Sequence, residues 1–533
     1  MRAWNAGLRR RRHVAVLALL IGALGWAPSG HADGDASIGA QSAREAPVFE
    51  TVSCWSPGAA TVPVRCGYLS VPESRERPNG RTIRIAVAIL TPEGVPPATM
   101  PAPLVHLAGG PGFPAGLSGP DFEIWLDWYA HWPGGRNRAL ILVDQRGTGE
   151  SEPTLSCDWE VLERRMRAPP AAGLRDPVED VLWWRDYLLE CRAPFDEAGI
   201  DVTAYNTAEN AADFSDLRRA LGIAQWDVWG ASYGTELALE LLRVDEAGTR
   251  SLILDAVSLY SRPEVVVGNV AEAFDRALTQ VFHDCLLDEE CGTTFPGLSG
   301  FLSQGLTWLN YWPKLLEIPG SGDSDGATLM LDRVRAVEAL FTSMYYAEFV
   351  PVLPATVFDL AIGDAEFLGR LATEMTAGWT TTSAANLIQA STSCRATPRG
   401  EALQRLEDQE RRYPLYAALW SAPFLRAVCA AWGSRPAAPP ELLPVRSDVP
   451  ALILGGRYDP VTPPEWGRIV AGWLPRSTAI EFPHLSHGSI GLDYCADWVA
   501  AVFLDRPGQR PEHPCLADLR PPRFVLPESN GED

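Results

Sequence analysis

Three stretches far apart in the chain hold the residue types of a nucleophile, a base and an orienting acid. The first is Gly230-Ala231-Ser232-Tyr233-Gly234, which follows the apolar run Trp226 to Trp229 and leads into the helix-forming Thr235 to Leu239. Between a strand and a helix, Gly-x-Ser-x-Gly makes a nucleophile elbow. Its glycines allow a tight, strained turn that leaves the serine hydroxyl clear of the sheet. The second stretch, Gly455-Gly456-Arg457-Tyr458-Asp459-Pro460, ends an apolar strand expected over Ala451 to Leu454. The third, Pro483-His484-Leu485-Ser486-His487-Gly488, ends a strand expected over Ser477 to Phe482.

A serine hydroxyl attacks poorly at neutral pH. An imidazole must take its proton and return it to the leaving group, while a carboxylate fixes the imidazole tautomer. Ser232, Asp459 and His487 supply those roles in the order serine, acid, histidine, each on a loop at a strand's C-terminal end. His484 competes with His487 as the base; the following Gly488 and the later loop position favour His487. His-x-x-His also has the look of a metal pair, but no third ligand accompanies it, so neither a metal nor a cofactor is expected.

The acyl chemistry also needs donors for a developing oxyanion. Leu104 to Leu107 reads as a short strand ending in Ala108-Gly109-Gly110-Pro111-Gly112. The N–H of Tyr233, next after the serine, and that of Gly109 or Gly110 are the expected oxyanion hole. One such donor is typically worth about 3 to 4 kcal/mol of barrier. The polar run Asp144 to Ser151, at the end of a strand over Ala139 to Val143, reads as bracing for these loops.

Strands and helices alternate through this region. Arg81 to Leu90 reads as a strand, then a helix with apolar residues Ala211, Phe214, Leu217 and Leu221 follows Thr207 as its N-cap. Another strand is expected over Ser251 to Val257. The alternation stops after about Arg262 and resumes near Val445. The stretch between reads as a largely helical cap, whose Trp308, Trp312, Tyr345, Tyr346, Trp379 and Trp420 are for the most part its core. The pattern is that of an α/β fold: a mostly parallel central sheet with helices on both faces and a helical cap inserted before the last strands. The expected divisions are 1–32 (signal peptide), 33–262 (first part of the core), 263–445 (cap) and 446–533 (last part of the core).

Composition bounds the partners. The formal charge of −22 offers no basic stripe to phosphates, which argues against a nucleic-acid partner. Lys314 is the only lysine, so a lysine-dependent phosphate loop is excluded. Residues 1–32 read as a secretion signal: a basic Arg9 to Arg12, an apolar Val14 to Ala27 too short for a comfortable span, and Gly30-His31-Ala32 at the cleavage point. Cleavage there removes five arginines and no acids, taking the charge from −22 to −27. No stable membrane insertion is expected afterwards, and the product is expected to be exported, periplasmic or extracellular. Ten cysteines suit that compartment. Their order suggests local pairs, Cys54–Cys66, Cys157–Cys191, Cys285–Cys291, Cys394–Cys429 and Cys495–Cys515, although sequence alone does not fix connectivity.

With these residues assembled, the chain resembles the exported tripeptidyl-aminopeptidase and prolyl-aminopeptidase-like serine hydrolases, which have the α/β-hydrolase fold. The resemblance rests on Ala108 to Gly112, Asp144 to Ser151, the helix from Ala208 to Leu221 leading into Gly230 to Thr235, Gly455 to Pro460, and His487-Gly488. In the cap, Cys394 and Cys429-Ala430-Ala431-Trp432 match as well. It implies release of short amino-terminal fragments from peptides, with cap acids binding the free ammonium. Relatives often carry an acid just after the cap cysteine, where this chain has Arg395. Glu348, Asp359, Asp364 and Glu366 are other cap acids that could take that role. An esterase or amidase acting on small acyl substrates with the same three residues is the alternative within enzymes. A catalytically silent, hydrolase-like binding domain is the alternative outside them.

Overall fold

A computed structural model of the chain describes residues 47–56, 62–157, 177–260, 269–318, 327–378, 383–396, 401–419 and 421–527. The expected signal segment lies outside the described residues, as do Trp379 and Trp420.

Nine strands form one sheet. In chain order they are β1 (Phe49–Val52), β2 (Val64–Pro72), β3 (Thr82–Leu90), β4 (Leu104–Leu107), β5 (Leu140–Val143), β6 (Trp226–Ala231) and β7 (Thr249–Asp255). A separate hairpin, β8 (Lys314–Ile318) and β9 (Ala327–Leu331), comes next, and β10 (Ala451–Gly456) and β11 (Ser477–Phe482) return to the sheet. The spatial order is β1-β2-β3-β5-β4-β6-β7-β10-β11. From β5 to β11 every pairing is parallel, while β1, β2 and β3 add antiparallel edge pairings.

Both faces of the parallel strands β4 to β7 and β10 are buried, which is why these segments read as largely apolar runs, whereas the edge strand β11 is buried only at Ile480 and Phe482. Val105, Ile141, Val228, Leu252 and Ile453 point to one face, beneath the helices Thr207–Ala220, Tyr233–Val244 and Pro464–Ala471. Leu104, Leu140, Trp229, Ile253 and Leu452 point to the other, beneath the helices Gly119–His131 and Tyr494–Asp505. The helix over Thr207–Ala220 is capped by Asn206, not by Thr207: the Asn206 side chain accepts from the Glu209 N–H. Thr207 is free for a different bond, to the Tyr233 hydroxyl at 3.0 Å.

Register aligns the strand ends that matter. Leu107 lies opposite Gly230, Ala231 opposite Asp255, Leu454 opposite Asp255, and Gly456 opposite Phe482. The loops after β4, β6, β7, β10 and β11 therefore leave the sheet at one rim.

Between β7 and β10 the chain is mainly helical, with Val270–Leu287, Leu298–Tyr311, Arg333–Ser343 and Leu353–Ile362 sharing a core with Tyr458 and Val461. That core reaches the loop after β10. Tyr458 donates its hydroxyl hydrogen to Asp284 at 2.7 Å, and Arg276 donates to the carbonyls of Arg457 and Asp459 at 2.9 and 3.1 Å. The β8–β9 hairpin was not expected from the sequence. Trp308 and Trp312 are exposed at 38% and 61%, so neither belongs to the interior of this segment. Disulfides join Cys54 to Cys66, Cys157 to Cys191, Cys285 to Cys291, Cys394 to Cys429 and Cys495 to Cys515.

Candidate active site

Ser232 occupies the single-residue turn between β6 and the helix Tyr233–Val244, with φ 55° and ψ −124°. A non-glycine residue held there costs about 1 to 3 kcal/mol and needs surroundings that enforce it. The glycines on either side do so by letting backbones touch. A Cβ at Gly230 would lie 2.2 Å from the Gly234 carbonyl oxygen, and one at Gly234 would lie 2.0 Å from that of Leu107. The Ser232 N–H donates to the Asp255 carbonyl at 2.9 Å, and its own carbonyl accepts from Thr235 N–H and hydroxyl at 2.9 and 2.6 Å. Among the described residues the Ser232 hydroxyl itself makes no hydrogen bond, to His487 or to another group. Such contacts are commonly loose without substrate and tighten in the complex.

The loop after β4 runs against the elbow. A Cβ on Gly109 would sit 3.2 Å from the Ser232 Cβ and 3.7 Å from its Oγ, so glycine there brings backbone close to Ser232 without crowding it. Its shape is fixed from behind. Gln145 donates its side-chain amide to the Ala108 carbonyl at 2.8 Å, and Asp144 accepts from Gly116 N–H at 3.0 Å and Glu150 N–H at 2.8 Å. Burial pushes the Asp144 carboxyl up to about 6. Tyr233 opens the helix, so its N–H belongs to the first turn, where no intrahelical acceptor exists. The Tyr233 side chain turns into the core, and burial pushes its phenol up to about 12.

Asp459 is fully buried and uses both oxygens. Oδ1 accepts from the N–H groups of Val461 and Thr462 at 2.9 and 2.8 Å. Oδ2 accepts from the Thr462 hydroxyl at 2.6 Å and faces His487 Nδ1 at 2.8 Å. An acid with only acceptor capacity there makes Nδ1 the protonated nitrogen and leaves Nε2 bare to accept a proton. His484 pairs elsewhere: its Nε2 lies 2.9 Å from Asp493 Oδ2, and Asp493 also caps the helix Tyr494–Asp505. Asp459 and His487 are brought together; His484 is committed to a different carboxylate.

The segment between β7 and β10 touches His487 directly. The Tyr345 ring stands edge-on to the His487 ring at 4.9 Å, the His487 N–H donates to the Tyr345 carbonyl at 3.4 Å, and Ser486 bonds the Met344 carbonyl. Of the four acids named from sequence, Glu348, Asp364 and Glu366 are exposed and Asp359 is partly buried. None bonds Ser232, Asp459 or His487; Glu366 pairs with Arg370. Arg395 forms a two-pronged pair with Glu441, with nitrogen–oxygen distances of 2.7 to 3.1 Å. Its charge is therefore spent within the fold.

Sequence reasoning missed Asp255 and Thr462, and named Tyr345 only among cap aromatics read for the most part as core. Asp255 carried a faint signal, an acid closing the apolar run Leu252-Ile253-Leu254. Thr462 carried none beyond its place three residues after Asp459. The sequence also holds a second Gly-x-Ser-x-Gly, Gly322 to Gly326, between β8 and β9 and outside the described residues.

Comparison with known proteins matches two stretches of the chain. Residues 106–285, which hold Gly109, Gly110 and Ser232, match the family model described as alpha/beta hydrolase fold. Residues 413–515, which hold Asp459 and His487, match the model described as TAP-like protein. A tripeptidyl aminopeptidase of Streptomyces lividans is 27% identical over 209 residues, 38% of this chain and 37% of that protein. A probable proline iminopeptidase of Streptomyces coelicolor is 28% identical over 185 residues, 34% of this chain and 42% of that protein. Serine protease Hip1 of Mycobacterium tuberculosis is 27% identical over 232 residues, 42% of each. The matches thus span about two fifths of the length of these curated relatives.

Proposed function

We propose that this chain, whose sheet and family-model match give it the α/β-hydrolase fold, is an exported serine hydrolase working through an acyl-enzyme on Ser232. Its substrates are short peptides, from which it releases amino-terminal residues or fragments. The observation that carries the reading is the Asp459–His487 pair at 2.8 Å, on the sheet rim where Ser232 is held in a strained turn.

In the first half of the reaction His487 Nε2 takes the hydroxyl proton as Ser232 Oγ attacks the carbonyl carbon. Negative charge gathers on the carbonyl oxygen, within reach of the Tyr233 N–H and an N–H from Gly109 or Gly110. The imidazolium then gives its proton to the departing amine, and the acyl group stays on Ser232. Water repeats the sequence to free the acid. Asp459 remains ionised throughout, holding Nδ1–H and stabilising the imidazolium. Residues of the segment between β7 and β10 act as a cap, reaching the base through Tyr345. Export is supported by the five disulfides, which belong to oxidising compartments. The peptide preference is supported by the likeness to the tripeptidyl aminopeptidase and proline iminopeptidase.

A second reading, an esterase or amidase on small acyl groups, draws support from Arg395, which stands where relatives often carry an acid. A panel of free and amino-blocked peptide anilides beside nitrophenyl esters, run on wild type and Ser232→Ala, separates the two. The first reading expects turnover of free-amino peptides and its loss on blocking. Brisk ester turnover with no cleavage of any free-amino peptide supports the second.

A further inference from the structure

Among the described residues two non-glycine residues have positive φ, Ser232 at 55° and Ala256 at 56°. They flank a single hydrogen bond, the one from Ser232 N–H to the Asp255 carbonyl at 2.9 Å. Ala256 N–H in turn donates to the Leu454 carbonyl at 3.0 Å, so the junction binds the ends of β6, β7 and β10 together. Backbone strain of this kind persists only where neighbouring structure enforces it, and it gathers at functional sites.

The Asp255 side chain, buried at 1% exposure, runs to the other half of the site. Its Oδ2 accepts from the N–H groups of Ser489 and Ile490, each at 2.9 Å. These are the second and third residues after His487. One residue thus fixes the nucleophile through its carbonyl and the loop of the base through its carboxylate. Two amides sharing one oxygen would be satisfied equally by a neutral acceptor such as asparagine. Asp255 Oδ1 has no hydrogen-bond partner, so the chain keeps a buried, half-satisfied carboxyl beside its imidazole: burial raises it above the ordinary carboxylate range, and the two amides and His487 act in the opposite direction, favouring the charged form.

We propose that Asp255 is the positioning residue that sets Ser232 against His487, and that its carboxylate is a second negative charge stabilising the imidazolium as it forms. The proposal rests on reading Ser232 and His487 as nucleophile and base. Asp459 and Asp255 then divide the work: Asp459 bonds the ring and selects its tautomer, whereas Asp255 holds the loop behind the ring and adds its field. The titratable groups facing His487 are Asp459 from the β10 loop, Asp255 from β7 and Tyr345 from the segment before β10. Asp497, on the helix Tyr494–Asp505, faces Asp255 and receives the Gly491 N–H at 2.9 Å, so it is left intact in every variant.

The test compares wild type, Asp255→Asn, Asp255→Ala and Ser232→Ala of the full chain on a nitrophenyl ester across pH, with thermal melts alongside. Asp255→Asn keeps an acceptor for both amides and loses the charge. Its kcat falls about tenfold while KM stays within about threefold, because the imidazolium loses a neighbouring negative charge as it forms. Asp255→Ala leaves both amides without an acceptor, and its kcat falls about 100-fold or more while KM stays within about threefold. A purely structural role lowers the melting midpoint and leaves the kcat of folded protein unmoved; that result overturns the proposal. Failure of Asp255→Asn to fold overturns it too, since the carboxylate is then needed for folding and not for the imidazolium. If wild type turns nothing over, or Ser232→Ala keeps its activity, the assignment of the nucleophile fails instead.

Discussion

Asp459→Asn tests the division of roles between acid and base at a single atom. In the wild type Oδ1 takes two backbone N–H groups and Oδ2 faces Thr462 Oγ1 and His487 Nδ1. Asparagine has one oxygen to offer. The two amides, at 2.9 and 2.8 Å, claim it, since turning the group over would aim an NH2 at both. The NH2 is then left facing Nδ1, where it can only donate. His487 answers by taking the other tautomer, bare at Nδ1 and protonated at Nε2, and that nitrogen can no longer accept the Ser232 proton. The expected loss is about 10³- to 10⁴-fold in kcat, equivalent to about 4 to 5.5 kcal/mol of barrier. KM should move little, because no atom lining the substrate changes. The loop should survive, because the two amides keep their acceptor. Ester turnover across pH and thermal melts of the purified variant measure both halves. A folded variant that keeps kcat within tenfold of wild type would refute the reasoning, since His487 would then be finding its tautomer without Asp459.

Other perturbations probe the scaffold. Gly234→Ala places a methyl 2.0 Å from the Leu107 carbonyl oxygen, with backbone on both sides. It should cost about 3 kcal/mol or more in a denaturant melt, and an unchanged midpoint would contradict the close approach. Gln145→Leu removes the donor holding the Ala108 carbonyl at 2.8 Å; kcat should drop about tenfold with little change in KM, whereas a pure KM effect would show that the loop serves binding only. Asp144 is raised by burial from its ordinary 3.8 to about 6. Because the folded value is the higher one, its contribution to stability is fully present below about pH 4 and is lost as pH rises through about 6. The stability of wild type relative to Asp144→Asn should therefore fall by on the order of 2 to 3 kcal/mol between pH 4 and 7, and parallel curves would count against that titration.

The sheet was legible because its central parallel strands are buried on both faces, while the edge strand β11 still buries alternate residues, Ile480 and Phe482. Leu104 to Leu107 and Ser477 to Phe482 read as strands with the bounds observed, and the reactive residues follow such runs directly. The candidate site residues were legible by their place: Ser232, Asp459 and the His484–His487 loop each come just after a strand. What could not be read is what arrives from elsewhere in the chain. Asp255 looks like the polar end of an ordinary strand, and nothing local shows that backbone 234 residues later folds onto its carboxylate. Tyr345 sits in a segment whose aromatics read alike, although Tyr345 packs on the base while Trp312 faces solvent. Thr207 and Asn206 are both good caps, and the choice turned on Tyr233 drawing the Thr207 hydroxyl away.

The central claim is that Ser232 is made nucleophilic by His487. A fluorophosphonate probe reacts with a serine only when a neighbouring base activates it, so its labelling, located by peptide mapping, reads the claim without any choice of substrate. Rapid modification of wild type at Ser232, lost in Ser232→Ala and slowed at least about 100-fold in a folded His487→Ala, is the result this account predicts. Modification at another serine, or undiminished labelling of Ser232 after His487 is removed, would contradict it.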